Sequence, residues 1–362
     1  MRNRRLIWLV LLCLLIGGGG FLWFRQAAET GGEDLPNGSE VTEGVGLNDG
    51  NASNNGDSGT AEGDTDRTEG QGEPVVSKPV EPELPGALLV MCDNMYKARP
   101  QSGLDKADVV YEIIAESGIT RFMALFYRQK VDEIGPIRSA RSYFVKLAHG
   151  YNAPLAHAGG SAEALNLIAT IKAKDLDEIY NSGGFFWRDK SRKMPHNLYS
   201  STDKLLAGAK QRGYKMVPPE LSPIGTAWDG EAFTGAITLD YSTGNYTYKV
   251  TWEYEPGKNR YARMINGEPH LMRDGTAIKA DNVIVLVVKT TTRVENGVPL
   301  SDVQIVGSGE VRYYLNGQKM TGSWEKQAAS APIRFFDEDG NFMKLKEGNT
   351  WIQVLPSWSS LT

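Results

Sequence analysis

The stretch Gly135–Ser161, GPIRSARSYFVKLAHGYNAPLAHAGGS, decides how the fold is read. Two arginines three apart, Arg138 and Arg141, open it. A helical pattern follows over Ser139–Gly150, with Tyr143, Phe144, Leu147 and Ala148 as its apolar stripe and Gly150 as its stop. Pro154–Ala158 reads as a short strand, and Ser161–Lys174 as a second helix. Between them lies His157-Ala158-Gly159-Gly160-Ser161. A strand, two glycines and a helix start form a layout in which backbone N–H groups and the helix dipole hold an anion. The alternative is a tight turn in which Ser161 is only the N-cap. Arg138 and Arg141 sit at a helix entrance, where the macrodipole disfavours positive charge. Their offset is either internal, from Glu112 and Glu116, or an external carboxylate or phosphate.

Towards the N-terminus, Ala87–Cys92 is an apolar run of strand length that delivers Asp93 and Asn94 at its end. Val109–Glu116 and Ile119–Tyr127 flank Ser117-Gly118 as a hairpin across a two-residue turn; a helix over Asp108–Glu116 is the competing reading. Regular pairing sets Glu116 opposite Ile119 and Ile114 opposite Arg121. Glu112, Ile114 and Glu116 then share a face with Arg121, which reaches both glutamates diagonally.

Towards the C-terminus, Asp175–Tyr214 is rich in loops, apart from one helix capped by Ser201 or Thr202 and running through Gln211. Beyond Pro223 the texture changes. Ile237/Leu239/Tyr241 and Tyr246/Tyr248/Val250/Trp252/Tyr254 alternate strictly, and Asn266-Gly267, Asp274-Gly275, Asn316-Gly317 and Asp339-Gly340 punctuate further strands. The class is α+β: a mixed α/β half over 85–222, then a β-rich half over 223–362 with the strand spacing of a sandwich or barrel.

Ahead of both lies a different kind of sequence. Leu6–Phe24 is uncharged and close to the ~20 residues that span a bilayer as a helix. Arg2, Arg4 and Arg5 precede it, which puts the N-terminus inside and the rest outside. Residues 1–24 thus read as a membrane anchor of a single-pass plasma-membrane protein. Signal-peptide cleavage is the alternative, although Arg25-Gln26-Ala27-Ala28 matches the usual site poorly. Residues 25–84 are an acidic linker too poor in apolar side chains to fold. The linker carries 14 acids and 3 bases, so of the total charge of −5 the segment Pro85–Thr362 holds +3. That excludes the electrostatic footprint of a nucleic-acid binder.

The chemistry is less legible. The 2 cysteines, Cys13 and Cys92, leave no disulfide within the folded part. None of the four histidines pair at i,i+4, so no metal is expected. No Walker loop or GxGxxG occurs, and no cofactor is expected. Ser161 with His157 or His196 as base would make a nucleophile, but the glycine two beyond the serine that an elbow uses is missing. Glu112 and Glu116, four apart on a strand, stand about 13 Å apart, too far for a glycosidase pair. Either with Asp93 is an arrangement for acid–base work.

The set Asp93-Asn94, Ala98–Gly103, Val110-Tyr111-Glu112, Glu116–Arg121, Gly135–Arg141, His157–Ser161 and His196-Asn197 resembles the YerB family, exported proteins of Bacillus and relatives that are usually lipoproteins. The likeness continues through Arg263–His270, Asn282–Val285 and Trp324–Pro356. It implies one family fold over Pro85–Thr362 and no particular reaction. This chain lacks the family's lipobox, since Leu12 precedes Cys13. The expected site therefore has Arg138, Arg141 and Arg121 holding charge, Gly159, Gly160 and Ser161 cradling it, and His157, His196, Glu112 and Asp93 as acid–base groups. Asn197 and Arg99 join the ligand-binding set from the shared motifs. The expected partner is an anionic or glycan ligand of the envelope, with hydrolysis as an option. A protein-interaction module with structural arginines is the other reading.

Overall fold

Strands covered on both faces read as unbroken apolar runs, and β1 (Leu88–Asp93) and the strand Thr350–Leu355 are each buried at every position. Both lie inside one large mixed sheet. The computed structural model of the protein describes residues 81–362 apart from Asn245 and Asn296. From one edge, the sheet runs Arg334–Phe336, Gln318–Lys326, Gly307–Leu315, Asn282–Val287, Thr350–Leu355, β2 (Val109–Glu116), β3 (Ile119–Phe126), β1, β4 (Leu155–His157) and β5 (Asp175–Asp177). The segment Thr350–Leu355 pairs in parallel with Asn282–Val287 on one side and with β2 on the other. The sheet therefore continues across residues 222 and 223, and the two halves read from the sequence share it. The anchor, and the linker up to residue 80, lie outside the described residues. At the linker's end, Leu84 is buried and its N–H donates to the Tyr127 carbonyl, so the ordered fold begins before Pro85. Among the described residues no helix is long and apolar enough to cross a membrane.

Helices α1 (Ser142–Gly150) and α2 (Ala162–Ile171) cover one face. Tyr143, Phe144, Leu147 and Ala164 pack there with Leu89, Met91, Tyr111 and Met123. A smaller meander of Ile237–Asp240, Lys249–Glu255 and Arg260–Ile265 covers the other. Its Tyr248, Val250 and Trp252 pack with Val90, Cys92, Val110, Phe122 and Trp351, alongside Leu205 and Ala209 of α3 (Thr202–Gln211). Cys92 is a buried filler in that layer. The α+β expectation holds at this level: few helices and many strands, with α1 and α2 on one face of the large sheet and the meander and α3 on the other.

The β2–β3 hairpin forms across Ser117-Gly118, both with positive φ, as a two-residue turn of this kind requires. Its register departs from the regular one. Glu116 does oppose Ile119, but an irregularity between Ile114 and Glu116 sets Ile113, not Ile114, opposite Arg121. One extra residue in a strand turns the following side chains to the other face. Glu112 and Glu116 therefore point to opposite sides of the sheet, and Arg121 reaches only Glu116.

Candidate functional site

On the helix face, β1, β4 and β5 run parallel and end in Asp93, His157 and Asp177. The loop that leads into α1 crosses these carboxyl ends. Open α/β sheets bind ligands at such ends. Ala158 N–H donates to the Arg138 carbonyl and Ala140 N–H to the Gly159 carbonyl, which seats Arg138 and Arg141 over the strand ends.

Three guanidinium groups meet two carboxylates there. Arg121 donates to Glu116 at 2.7 Å and to the Ser139 carbonyl at 2.7 Å. Arg141 donates to the second Glu116 oxygen and to the Ala140 carbonyl. Both arginines are buried and bonded through their Nη atoms to Glu116 and to backbone carbonyls, while the Nε of each has no partner. Burial raises the Glu116 carboxyl, but Arg121, Arg141 and Arg138 outweigh it and bring its pKa down to about 2. Arg138 differs. Its Nε lies 3.1 Å from Asp93 Oδ2, its side chain keeps 22% of its exposure, and among the described residues it donates no side-chain hydrogen bond. Asp93 also accepts from His196 Nδ1 at 2.7 Å. Burial raises the Asp93 carboxyl, yet the His196 hydrogen bond and the charges of Arg138 and Arg121 leave it below its usual value.

The glycine segment is organised differently from the expectation. Gly159 N–H donates to Asp177 Oδ1 at 2.8 Å, Ser161 N–H to the Ala140 carbonyl, and Ala162 N–H to Glu295. The cradle is occupied by the protein's own carboxylates and carbonyl. Gly160 serves a close approach, pairing with Ala140. Ser161 is the N-cap of α2, accepting from Ala164 N–H at 3.3 Å. Its replacement by alanine is expected to cost about 1 kcal/mol in a denaturant titration. A nucleophilic role would instead show as lost chemistry without lost stability.

Glu112 lies on the opposite face and is corrected as an acid–base candidate, because it is sealed. It accepts from Arg263 at 2.7 Å, Tyr248 at 2.7 Å and Thr120 at 2.7 Å, and no part of it meets solvent. Arg99 belongs to this network too: it donates to Asn94 Oδ1 and stacks on the Tyr248 ring at 4.9 Å. Asn197 is bonded to Arg188, Asp189 and Arg192 within its own loop. His157 is fully buried, with Nδ1 donating to the Gly159 carbonyl at 2.9 Å. The structure thus gathers Asp93, Arg121, Arg138, Arg141 and His196 on one side, and takes Glu112 and Arg99 to the other.

Sequence reasoning missed Arg263 and Asp177. Arg263 stands in phase with Tyr261 and Ile265, all three buried on an alternating strand. A charge in an inward phase was the available signal. Asp177 was hidden because Asp175–Asp177 read as loop.

The class these features define is an α+β protein, a mixed sheet with a charged cluster at its parallel strand ends. The chain matches the family described as protein of unknown function (DUF3048), its N-terminal domain over residues 72–215 and its C-terminal domain over residues 237–352, and it belongs to that family. A similar relative is YerB of Bacillus subtilis (strain 168), described as a candidate lipoprotein, which is 31% identical over 273 residues, 74% of this chain and 81% of the relative. The crystal structure of the YerB protein from Bacillus subtilis is similar at a TM-score of 0.70 and 30% identity, covering 78% of this chain and 94% of that one.

Proposed function

We propose that the domain binds an anionic ligand of the cell envelope, a phosphate- or carboxylate-bearing glycan, through Arg138 at the carboxyl ends of β1 and β4. The observation that carries this reading is the charge count around Arg138. Three arginines stand against Glu116 and Asp93, and the one with a part-exposed side chain, Arg138, makes no side-chain hydrogen bond among the described residues beyond its ion pair with Asp93. Arg121 and Arg141 act as the scaffold that holds the positive field in place. Arg138 supplies the planar fork that fits two oxygens of one anion. His196, oriented through Nδ1 by Asp93, would be the group to move a proton to or from such a ligand. Export to the outer face of the membrane is supported by the uncharged run at Leu6–Phe24 and by the description of the Bacillus subtilis relative.

The test is calorimetric titration of the full chain with inorganic phosphate, glycerol-phosphate oligomers and wall glycan fragments. Arg138→Ala is expected to weaken binding 10–100-fold, about 1.4–2.7 kcal/mol, and Arg138→Lys to restore only part of it. Stability should stay within about 1 kcal/mol of wild type, since the removed group is part-exposed. Unchanged binding in Arg138→Ala would refute the assignment.

A protein-interaction role has one observation in its favour. A groove of about 1090 Å³ in the β-rich half is lined by Trp228, Met320 and Phe342 together with Asp229, Asp337 and Glu338. Apolar walls with an acidic rim suit a basic peptide, and Arg138 variants would leave such binding untouched.

A further inference from the structure

We infer that His157, Asp175 and Asp177 form a binding site for a divalent transition ion, Zn²⁺ being the best match, at the ends of β4 and β5. The ligand atoms of the three residues lie within 4.8 Å of one another. They come from neighbouring parallel strands, with Ala156 beside Leu176 and His157 beside Asp177. The spacing of 18 residues and more between His157 and its partners hides the group from any local motif.

The independent observation is the histidine itself. His157 is fully buried, and its Nε2 has no hydrogen-bond partner. A carbonyl only accepts, so the 2.9 Å contact with Gly159 fixes the proton on Nδ1 and leaves Nε2 as the free ring nitrogen. That nitrogen is 3.9 Å from Asp175 Oδ2, too far for a hydrogen bond and unsuitable for two facing lone pairs. A cation between them resolves the pairing. A histidine that donates its other N–H to a backbone carbonyl is also the usual arrangement around a metal, because the second bond fixes the ring and its tautomer.

The carboxylates are held in the same way. Asp177 Oδ1 accepts from the Gly159 and Ile179 amides, at 2.8 Å and 2.9 Å. Asp175 Oδ2 accepts from Asn181 at 2.7 Å. One imidazole and two carboxylates form a donor set that zinc accepts, with water as a fourth ligand. Zinc ligands sit about 3.3 Å from one another in a tetrahedron of Zn–N and Zn–O bonds near 2.0 Å. The His157 Nε2–Asp175 Oδ2 pair, at 3.9 Å, has to close by about half an ångström, and the widest pair, within 4.8 Å, by up to about 1.5 Å. Asp177 Oδ2, now 3.7 Å from His157 Nδ1, has to swing towards Nε2, and Asp175, whose side chain keeps 14% of its exposure, has to rotate with it. The inference does not depend on Arg138 or on an anionic ligand.

The experiment strips the full chain with chelator, loads it with Zn²⁺, passes it through gel filtration and measures bound metal. Wild type should retain one zinc per chain and melt higher with it than without. Asp175→Asn and His157→Gln, each checked for fold by circular dichroism, should bind zinc at least 100-fold more weakly. Asp175 is the most exposed of the three, so its variant decides the matter if His157→Gln fails to fold. No retained zinc in wild type, or equal retention in a folded Asp175→Asn variant, would overturn the site.

Discussion

Replacing Arg263 by alanine is expected to destabilise the protein by about 3–5 kcal/mol, read as a lowered midpoint in a denaturant titration at unchanged slope. The reason lies in what remains. Glu112 would stay buried on the small-sheet face with its charge uncompensated, among Tyr248, Thr120 and Asn94. Arg263 also carries more than the pair. Its guanidinium sits over the rings of Trp351 at 4.7 Å, Trp252 at 5.1 Å and Phe122 at 5.6 Å, and its Nη1 is buried without a hydrogen-bond partner. Its Nε donates to His270 Nδ1 at 3.0 Å, and His270 Nε2 bonds Gln101 at 2.8 Å. The network ties the meander to β1 and β2. A double replacement by Leu at Glu112 and Met at Arg263 should recover part of the loss, because no charge is then stranded. A single variant within about 1 kcal/mol of wild type would mean that the pair is hydrated and the interior there open.

Acid should unfold the protein in two stages. Burial first, then the charges of Arg263 and Arg99, hold His270 well below its ordinary value. The unfolded chain therefore takes up a proton that the folded one refuses, and stability falls as pH drops below about 6.5. Glu116 follows. Its folded value of about 2 is below its ordinary 4.5, so its contribution is complete above 4.5 and disappears as pH falls towards 2. The difference corresponds to about 3 kcal/mol. The measurement is unfolding free energy against pH for wild type and Glu116→Gln. The wild-type curve should fall more steeply between pH 4.5 and 2, with the two curves converging at the acid end. Parallel curves through that window would show that Glu116 is not held by Arg121 and Arg141.

Much of the architecture was legible because it is local. The turn at Ser117-Gly118, the caps at Ser161 and Ser201, and the buried run at Leu88–Cys92 all announce themselves within a few residues. What was not legible depends on long-range pairing. Glu112, Ile114 and Glu116 alternate perfectly on paper, and nothing at Ala115 marks the irregularity that sends the two glutamates to opposite faces. The insertion of Thr350–Leu355 between β2 and Asn282–Val287 pairs Thr350 with Val109 and with Asn282, both far away in the sequence. The arginine cluster was readable as a set, because charge at a helix entrance demands an offset. Its division into two structural members and one part-exposed member was not, since that follows from Glu116 pointing towards α1.

The central claim is that Arg138 is a ligand-facing cation and not a third structural arginine. The most direct measurement is a crystal of the protein soaked in selenate, an anion that anomalous scattering locates without ambiguity. A peak is expected within hydrogen-bond distance of the Arg138 guanidinium at the ends of β1 and β4, absent in Arg138→Ala. Selenate found only at other surface positions, with Arg138 turned fully onto Asp93, would contradict the claim.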